Sequence, residues 1–439
     1  MPILDTWGFV PNIVNFTRHG QLSAVSLWAP DGSVRPVLWR LLLMLTASRF
    51  HFDVTVIKML SLPLLLVEVG IFYWILRRTV GGAVWSRMLL MLPISATVCA
   101  WSNWESFLEE WNVQNIAAVT VSMLALLAAG SAFSTDRRSM QRLLACVALC
   151  VLASFLGEPG LLSWPACIVA SIFPWPRGRH AEGGLLIASA LAFFVLYLPG
   201  THAAPLQYDV HHPVAVLEYF VAALGNGVLG MVNNQPALSV ATAFGVAEIA
   251  ITIIVVALHW RRSSESKGDY RAVFGIIAFG YIGAASIALD RLTFGLASAA
   301  SSRYVITTCP VIVGLYILCV GIAADGRARP LIPVEGVRAG RYVRWVASSV
   351  ALLVGLAMLG TSAFADLDEN GLSGARLAYF MSLEYYACHA QSATNARLAL
   401  FQYSPIADLR EAIVELRSAD LSLFSGAGCS SVPPPLASP

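Results

Sequence analysis

Charge is scarce in this chain. Asp, Glu, Lys and Arg make up 12% of its 439 residues, about half the share found in a soluble domain. The net charge of +2 gives no field to attract nucleic acid, and no basic patch with interleaved aromatics occurs, so nucleic acid is excluded as a partner. Cys-x-x-Cys pairs and Cys/His clusters with zinc-like spacing are also absent. No internal repeat suggests the paired halves of a transporter. Residues 1–35 hold no apolar run able to act as a signal or anchor.

Hydrophobic residues, at 57%, fill the space that charge leaves. A crossing needs roughly 20 mostly apolar residues whose backbone groups pair inside their own helix. The apolar runs predict an all-helical, polytopic transmembrane bundle of about ten spans. They lie near 55–76, 86–102, 113–133, 140–157, 161–175, 183–200, 238–259, 272–289, 304–324 and 343–362. The 161–175 run is short and bounded by Pro159-Gly160 and Pro174, which suits a tilted or partial crossing.

Arginine sets the orientation, because positive residues beside spans stay in the cytoplasm. Arg77, Arg78 and Arg87; Arg137, Arg138 and Arg142; Arg177 and Arg179; Arg261, Arg262, Lys267 and Arg271; and Arg327, Arg329, Arg338, Arg341 and Arg344 fall in one set of loops. The other set, 103–112, 158–160, 201–237 and 290–303, holds only Arg291 and Arg303. Residues 214–232 are apolar enough to cross, but crossing would invert every later loop. They are expected to lie on the outer face as a helix broken at Gly225-Asn226-Gly227; the alternative is a true span with a flipped C-terminal half. The first span must then start outside, so a preceding helix is expected, giving eleven spans with the C-terminus outside.

Four regions follow. Residues 1–54 form an extracytoplasmic segment with an interfacial helix at 37–44, 55–362 the membrane domain, 363–424 a helical extracytoplasmic tail and 425–439 a disordered end. Apolar residues recur at helical spacing through Leu377, Phe380, Met381, Leu383 and Tyr385. A second tail helix starts with Ser404 as cap and Pro405 at the first position, then carries Ile406, Leu409, Ile413 and Leu416 on one stripe. Cys388 and Cys429 share this tail and would form a disulfide in an oxidising compartment. Cys99, Cys146, Cys150, Cys167, Cys309 and Cys319 lie in spans, where cysteine packs as a small apolar residue.

Chemistry on the outer face has several candidates. Asp5 beside Trp7 suits a general base toward a sugar or lipid hydroxyl with a ring to stack on the sugar; a helix cap and an interfacial tryptophan are the bland reading. Trp101, Trp104, Glu105, Leu108, Glu109 and Asn112 share one helix face and offer flat rings beside acceptors, or an aromatic belt with an acidic loop. Ser301-Ser302-Arg303-Tyr304, preceded by Asp290-Arg291, puts guanidinium groups where a phosphate at the membrane surface would sit; the alternative is an arginine snorkelling to headgroups. Arg35, after Asp31-Gly32-Ser33-Val34, is a second phosphate contact or an anchor for the interfacial helix. His202, Asp209, His211 and His212 lack a defined metal-ligand spacing.

Taken in order, Asp5-x-Trp7, Leu27-Trp28-Ala29-Pro30, Arg35-Pro36, Arg40-Leu41, Trp101-x-x-Trp104, Gly160-Leu161-Leu162-x-Trp164-Pro165, Tyr219, Leu224-Gly225 and Ser302-Arg303-Tyr304 resemble multi-spanning bacterial membrane proteins similar to C-type glycosyltransferases. Those enzymes use polyprenyl-phosphate sugars. The resemblance implies a transferase of the bacterial inner membrane, with a lipid-linked sugar donor and membrane lipids as its partners. It makes Asp5 the catalytic base or acceptor-binding carboxylate, and Arg303, Arg35 and Arg291 the donor phosphate contacts. Trp7, Trp101, Trp104, Glu105, Tyr304 and Asp31 would hold sugar or acceptor. No cofactor is implied, and a divalent metal is compatible with the scheme. Relatives carry His, Asn and Glu after Ala-Pro; here only Arg35 matches, with Asp31 as a substitute acid.

Two rival classes compete with the transferase. A transporter or flippase needs ionisable residues at mid-depth, and Lys58, Glu68 and Glu248 are the ones present in spans. A non-catalytic scaffold for envelope polysaccharide assembly needs none.

Overall fold

The computed structural model describes residues 9–31, 34–80, 83–100, 110–132, 138–172, 180–201, 212–229, 235–260, 270–292, 295–324, 344–363, 385–390, 406–419, 421 and 429. Every regular element among them is a helix, and the only ladder contact is an isolated bridge between Asp31 and Val34. Six helices are long and apolar enough to cross a membrane: Val54–Thr79, Asn112–Ala132, Leu238–His259, Arg271–Arg291, Val305–Ala324 and Arg344–Ala363. Val84–Val98, Ser139–Ser154 and Ala181–Tyr197 are shorter apolar helices. The chain is a multi-pass membrane protein. The expected 161–175 run folds as Ser163–Ile172, 10 residues, which at about 1.5 Å per residue reaches only half the hydrocarbon.

Val305–Ala324 is the central post, buried from Val305 to Ile322. It packs antiparallel to Arg271–Arg291 through small residues: a Cβ added at Gly283, Gly280, Gly314 or Gly321 would press on Thr307, Val311, Ile277 or Tyr270 respectively. As numbers fall on one helix they climb on the other. Helix ends sort in the same way. Gly130 touches Ala272, and Arg142 donates to the Ser131 carbonyl at 3.1 Å, at the end of the bundle that also holds Arg271. Arg291 and Arg303 lie at the opposite end.

The Pro213–Leu229 helix departs from expectation. It runs unbroken through Gly225-Asn226-Gly227, with Tyr219 and residues 221–227 buried in the bundle. Its partner is Gln235–Trp260, packed antiparallel. A Cβ on Gly225 would lie 1.8 Å from the Ala241 carbonyl oxygen, and one on Gly245 1.9 Å from that of Val221. These glycines let two backbones touch; they do not interrupt the helix. The sequence pattern of Gly-Asn-Gly is the same for both uses, which is why it misleads.

A second, separate core joins the two ends of the chain. Phe9, Val10, Ile13 and Val14 meet Trp39, Leu43, Phe52, Val54 and Ile57, and Leu409, Ile413 and Leu416 pack on them. The tail helix, Ile406–Ser418, lies along Val10–His19, where Arg18 donates to the Ser418 hydroxyl at 2.6 Å. Its predicted stripe is buried at all three described positions. Cys388 and Cys429 are bonded, with their Cα atoms 5.5 Å apart. The Val37–Phe50 helix ends in a left-handed turn at His51 and Phe52, φ 51° and 58°. That conformation costs roughly 1–2 kcal/mol per non-glycine residue and is held here by complete burial of the Phe52 ring. Asp53 then caps the next helix by accepting from the Thr55 amide at 2.9 Å.

Candidate functional site

The end of the bundle opposite Arg271 carries two arginine clusters with Glu158 between them. Gly157 stands in extended backbone and starts the short helical turn Glu158–Leu161. Beneath it lies the start of Asn112–Ala132: a Cβ on Gly157 would be 3.3 Å from Asn115 Oδ1, and Asn115 donates to Asn112 Oδ1, also at 3.3 Å. Ser154 holds the turn from below. Its hydroxyl accepts from Trp164 Nε1 at 3.2 Å, and its carbonyl accepts from the Tyr197 hydroxyl at 3.0 Å.

The first cluster is a set of carbonyl clamps. Arg35 is 4% exposed. Its amide donates to the Tyr197 hydroxyl at 2.7 Å and its Nε to the Tyr197 carbonyl at 2.9 Å, while Nη1 and Nη2 donate to the carbonyls of Trp28 and Pro199. The guanidinium also stands 5.1 Å from the Trp28 ring centre. Arg40 gathers the carbonyls of Ser26, Leu27 and Ala29 in the same way, and sits over Phe9. Burial lowers the Arg40 pKa from its ordinary value, and Asp31 opposes that shift. Asp31 is tied to Val34 by two backbone bonds and belongs to this cluster.

The second cluster gathers on the segment between Arg271–Arg291 and Val305–Ala324. Arg291 Nε pairs with Asp290 Oδ2 at 2.8 Å, both side chains over one-third exposed. Arg303 Nε donates to the Ser301 hydroxyl at 3.1 Å, and its guanidinium lies 5.8 Å from the Tyr304 ring centre. The segment is held by the Pro213–Leu229 helix, from which Asn226 Nδ2 donates to the Ser301 carbonyl at 3.0 Å. Tyr219, on the same helix, shares a 2.9 Å bond with the Ser298 hydroxyl. Arg291 and Arg303 both act on Tyr219 and on Tyr304. Burial raises the Tyr304 pKa, and the two arginines oppose the rise.

Glu158 links the clusters. Its carboxyl is within electrostatic reach of Arg291, Asp290 and Tyr304 on one side and of Tyr197 on the other. Burial pushes its pKa above the ordinary carboxyl value; Arg291 pulls it back and Asp290 adds to the push.

The structure therefore brings Arg291, Arg303 and Tyr304 together and gives Arg35 and Asp31 to the neighbouring clamp. Asp5, Trp7, Trp101, Trp104 and Glu105 lie outside the described residues, as do His202, Asp209 and His211. Glu158 escaped the sequence reading, although it is the only charged residue between Arg142 and Arg177. Three thiols also converge unannounced: the sulfurs of Cys146, Cys150 and Cys167 are buried within 4.8 Å of one another. Cys146 and Cys150 are one helical turn apart, which was the available signal. A soft metal would find three donors there. Three thiolates in an apolar core, however, carry the desolvation cost of unpaired charge, and as thiols they fill the helix contact like small apolar side chains.

No known protein family, curated protein or solved structure matches this chain.

Proposed function

We propose that the chain is a membrane glycosyltransferase of about ten spans, with a C-type architecture. It would move a sugar from a polyprenyl-phosphate donor to an envelope glycan, lipid or protein on the outer face of a bacterial inner membrane. The observation that carries this reading is the pairing of Arg291 and Arg303 around Tyr304, with Glu158 alongside. Two guanidinium groups in a partly buried site match the charge of a lipid phosphate, since planar forks of donors bind its oxygens in pairs. Tyr304 supplies a flat face and a hydroxyl of the kind a sugar ring needs, and Tyr219, buried beneath, holds Ser298. The Cys388–Cys429 bond supports an outer tail, because disulfides persist in oxidising compartments.

In this scheme an acceptor hydroxyl oxygen bonds to the anomeric carbon. The bond from that carbon to the phosphate oxygen breaks, and the lipid phosphate leaves with the electron pair. The hydroxyl proton passes to a carboxylate, the role assigned to Asp5. Glu158, shifted toward its protonated form, hydrogen-bonds the departing phosphate, and the arginines stabilise the charge that grows there.

The test is sugar transfer from a radiolabelled polyprenyl-phosphate sugar by the protein in lipid nanodiscs. Arg303→Ala and Arg291→Ala are each expected to cut turnover by about 10²–10³ with unchanged melting temperature, and Asp5→Asn to abolish it. Full turnover in both arginine variants would remove the site.

A further inference from the structure

Two carboxyl groups sit inside the bundle, outside the electrostatic reach of the site above. Glu68 lies midway along Val54–Thr79 and is 0% exposed; Glu248 lies midway along Leu238–His259 and is 3% exposed. Neither oxygen of Glu68, nor Oε2 of Glu248, has a hydrogen-bond partner among the described residues. The two spans flank the central post: Val305–Ala324 packs against both, and its Cys309 thiol is within electrostatic reach of both carboxyls. The other titratable groups facing them are Cys99, beyond the end of Val84–Val98, for Glu68, and Tyr281 of Arg271–Arg291 for Glu248. Tyr281 shares a 2.6 Å bond with the Thr252 hydroxyl, one turn from Glu248. Asn112–Ala132, which also packs on the Glu68 helix, contains no ionisable residue. Among the described residues no cationic side chain acts on either carboxyl. Lys58 shares the Glu68 span but is ten residues away, about 15 Å along a helix.

An ionised carboxylate without a partner at this depth costs several kcal/mol. Packing gives no reason for an acid here, since an apolar residue of similar size fills the same space without that penalty. We infer that Glu68 and Glu248 are membrane-embedded proton-binding carboxyls, each holding its own proton within the bundle and each within reach of Cys309. Such carboxyls serve ion-coupled movement of a substrate and have no part in sugar transfer, so they stand apart from the transferase reading.

The probe is dicyclohexylcarbodiimide, an apolar reagent that adds to a protonated carboxyl and stays attached as an acylurea with no leaving group. The full chain in nanodiscs is labelled across a pH series, and the modified peptides are read by mass spectrometry. Label is expected on Glu68 and on Glu248 at neutral pH, falling about tenfold per pH unit once each group ionises. Glu68→Gln, a neutral isostere, is expected to abolish the Glu68 label and leave that on Glu248, and Glu248→Gln the reverse, while the melting temperature holds. Absence of label on the folded protein, or label that ignores pH, would overturn the proposal. Protection by sodium at fixed pH would also overturn it, in favour of a sodium site. No sugar donor enters this assay, so its outcome does not depend on that of the transfer assay.

Discussion

Arg35 and Arg303 are both arginines of the outer segment by sequence, yet their surroundings predict opposite mutant behaviour. Arg35→Ala removes a guanidinium that donates to the carbonyls of Trp28, Tyr197 and Pro199. Each charge-assisted bond contributes roughly 1.5–3 kcal/mol, and a carbonyl left buried and unpaired costs about 1–3 kcal/mol. The gross loss is several kcal/mol; water reaching the partly buried Trp28 and Pro199 carbonyls recovers some, leaving a net destabilisation of about 3–4 kcal/mol. Arg303→Ala removes a partly exposed guanidinium that bonds the Ser301 hydroxyl at 3.1 Å and lies beside the Tyr304 ring, and is expected to cost under about 1 kcal/mol. Differential scanning fluorimetry in detergent, following the tryptophans, separates the two. Arg35→Lys is the control: a single ammonium cannot span three carbonyls in a plane, so it rescues only part of the loss. If Arg35→Ala melts with the native protein while Arg303→Ala unfolds early, the assignment of clamp and site is reversed. If Arg35→Ala keeps its stability and loses only sugar transfer, Arg35 is a phosphate contact after all.

Other expectations follow from the same geometry. The raised Glu158 carboxyl keeps a proton in the folded chain that the unfolded chain releases near its ordinary pKa of about 4.3; stability is therefore lost as pH climbs from there through the folded value, and Glu158→Gln should flatten that slope in a pH series of melting curves. Gly245→Val drives a side chain into the Val221 carbonyl and should destabilise the hairpin by about 3 kcal/mol, at the upper end for overpacking; a native melting temperature would refute the close contact. Cys388→Ser opens a bond between residues 41 apart, and the chain-entropy relation gives a loss of at most about 4 kcal/mol, read as faster proteolysis of the tail. In whole cells, Cys388 and Cys429 should resist a thiol-reactive tag until reductant is added, and immediate tagging would place the tail in a reducing compartment.

Periodicity and charge made much of the bundle legible. Apolar runs located the long helices, and the stripe of Leu409, Ile413 and Leu416 marked the face by which the tail packs. Among the described residues, Arg142 and Arg271 stand at one end of the bundle and Arg291 and Arg303 at the other. What sequence did not disclose were contacts that depend on two backbones meeting. Gly225 and Gly245 are twenty residues apart, and the first reads as a breaker, although together they form one seam. Glu158 was visible as an isolated charge, but its link to Arg291 needed the turn after Ser154 to fold over the start of Asn112–Ala132. Arg35 reads in the sequence as a second phosphate contact after Arg303 or as an anchor; the carbonyls it clamps were not legible, because acceptors on the main chain leave no mark in the sequence.

The fastening of Ile406–Ser418 onto Val10–His19 has a consequence for biogenesis. The small core beneath Phe9, Trp39 and Phe52 is completed by Leu409, Ile413 and Leu416, which leave the ribosome only after every span has been made. The helices of residues 9–57 must wait until Leu416 has been made with that apolar face uncovered, an interval in which a chaperone or the bilayer surface has to shelter it. Deleting Ile406–Ser418 should therefore damage residues 9–57 before it disturbs the bundle.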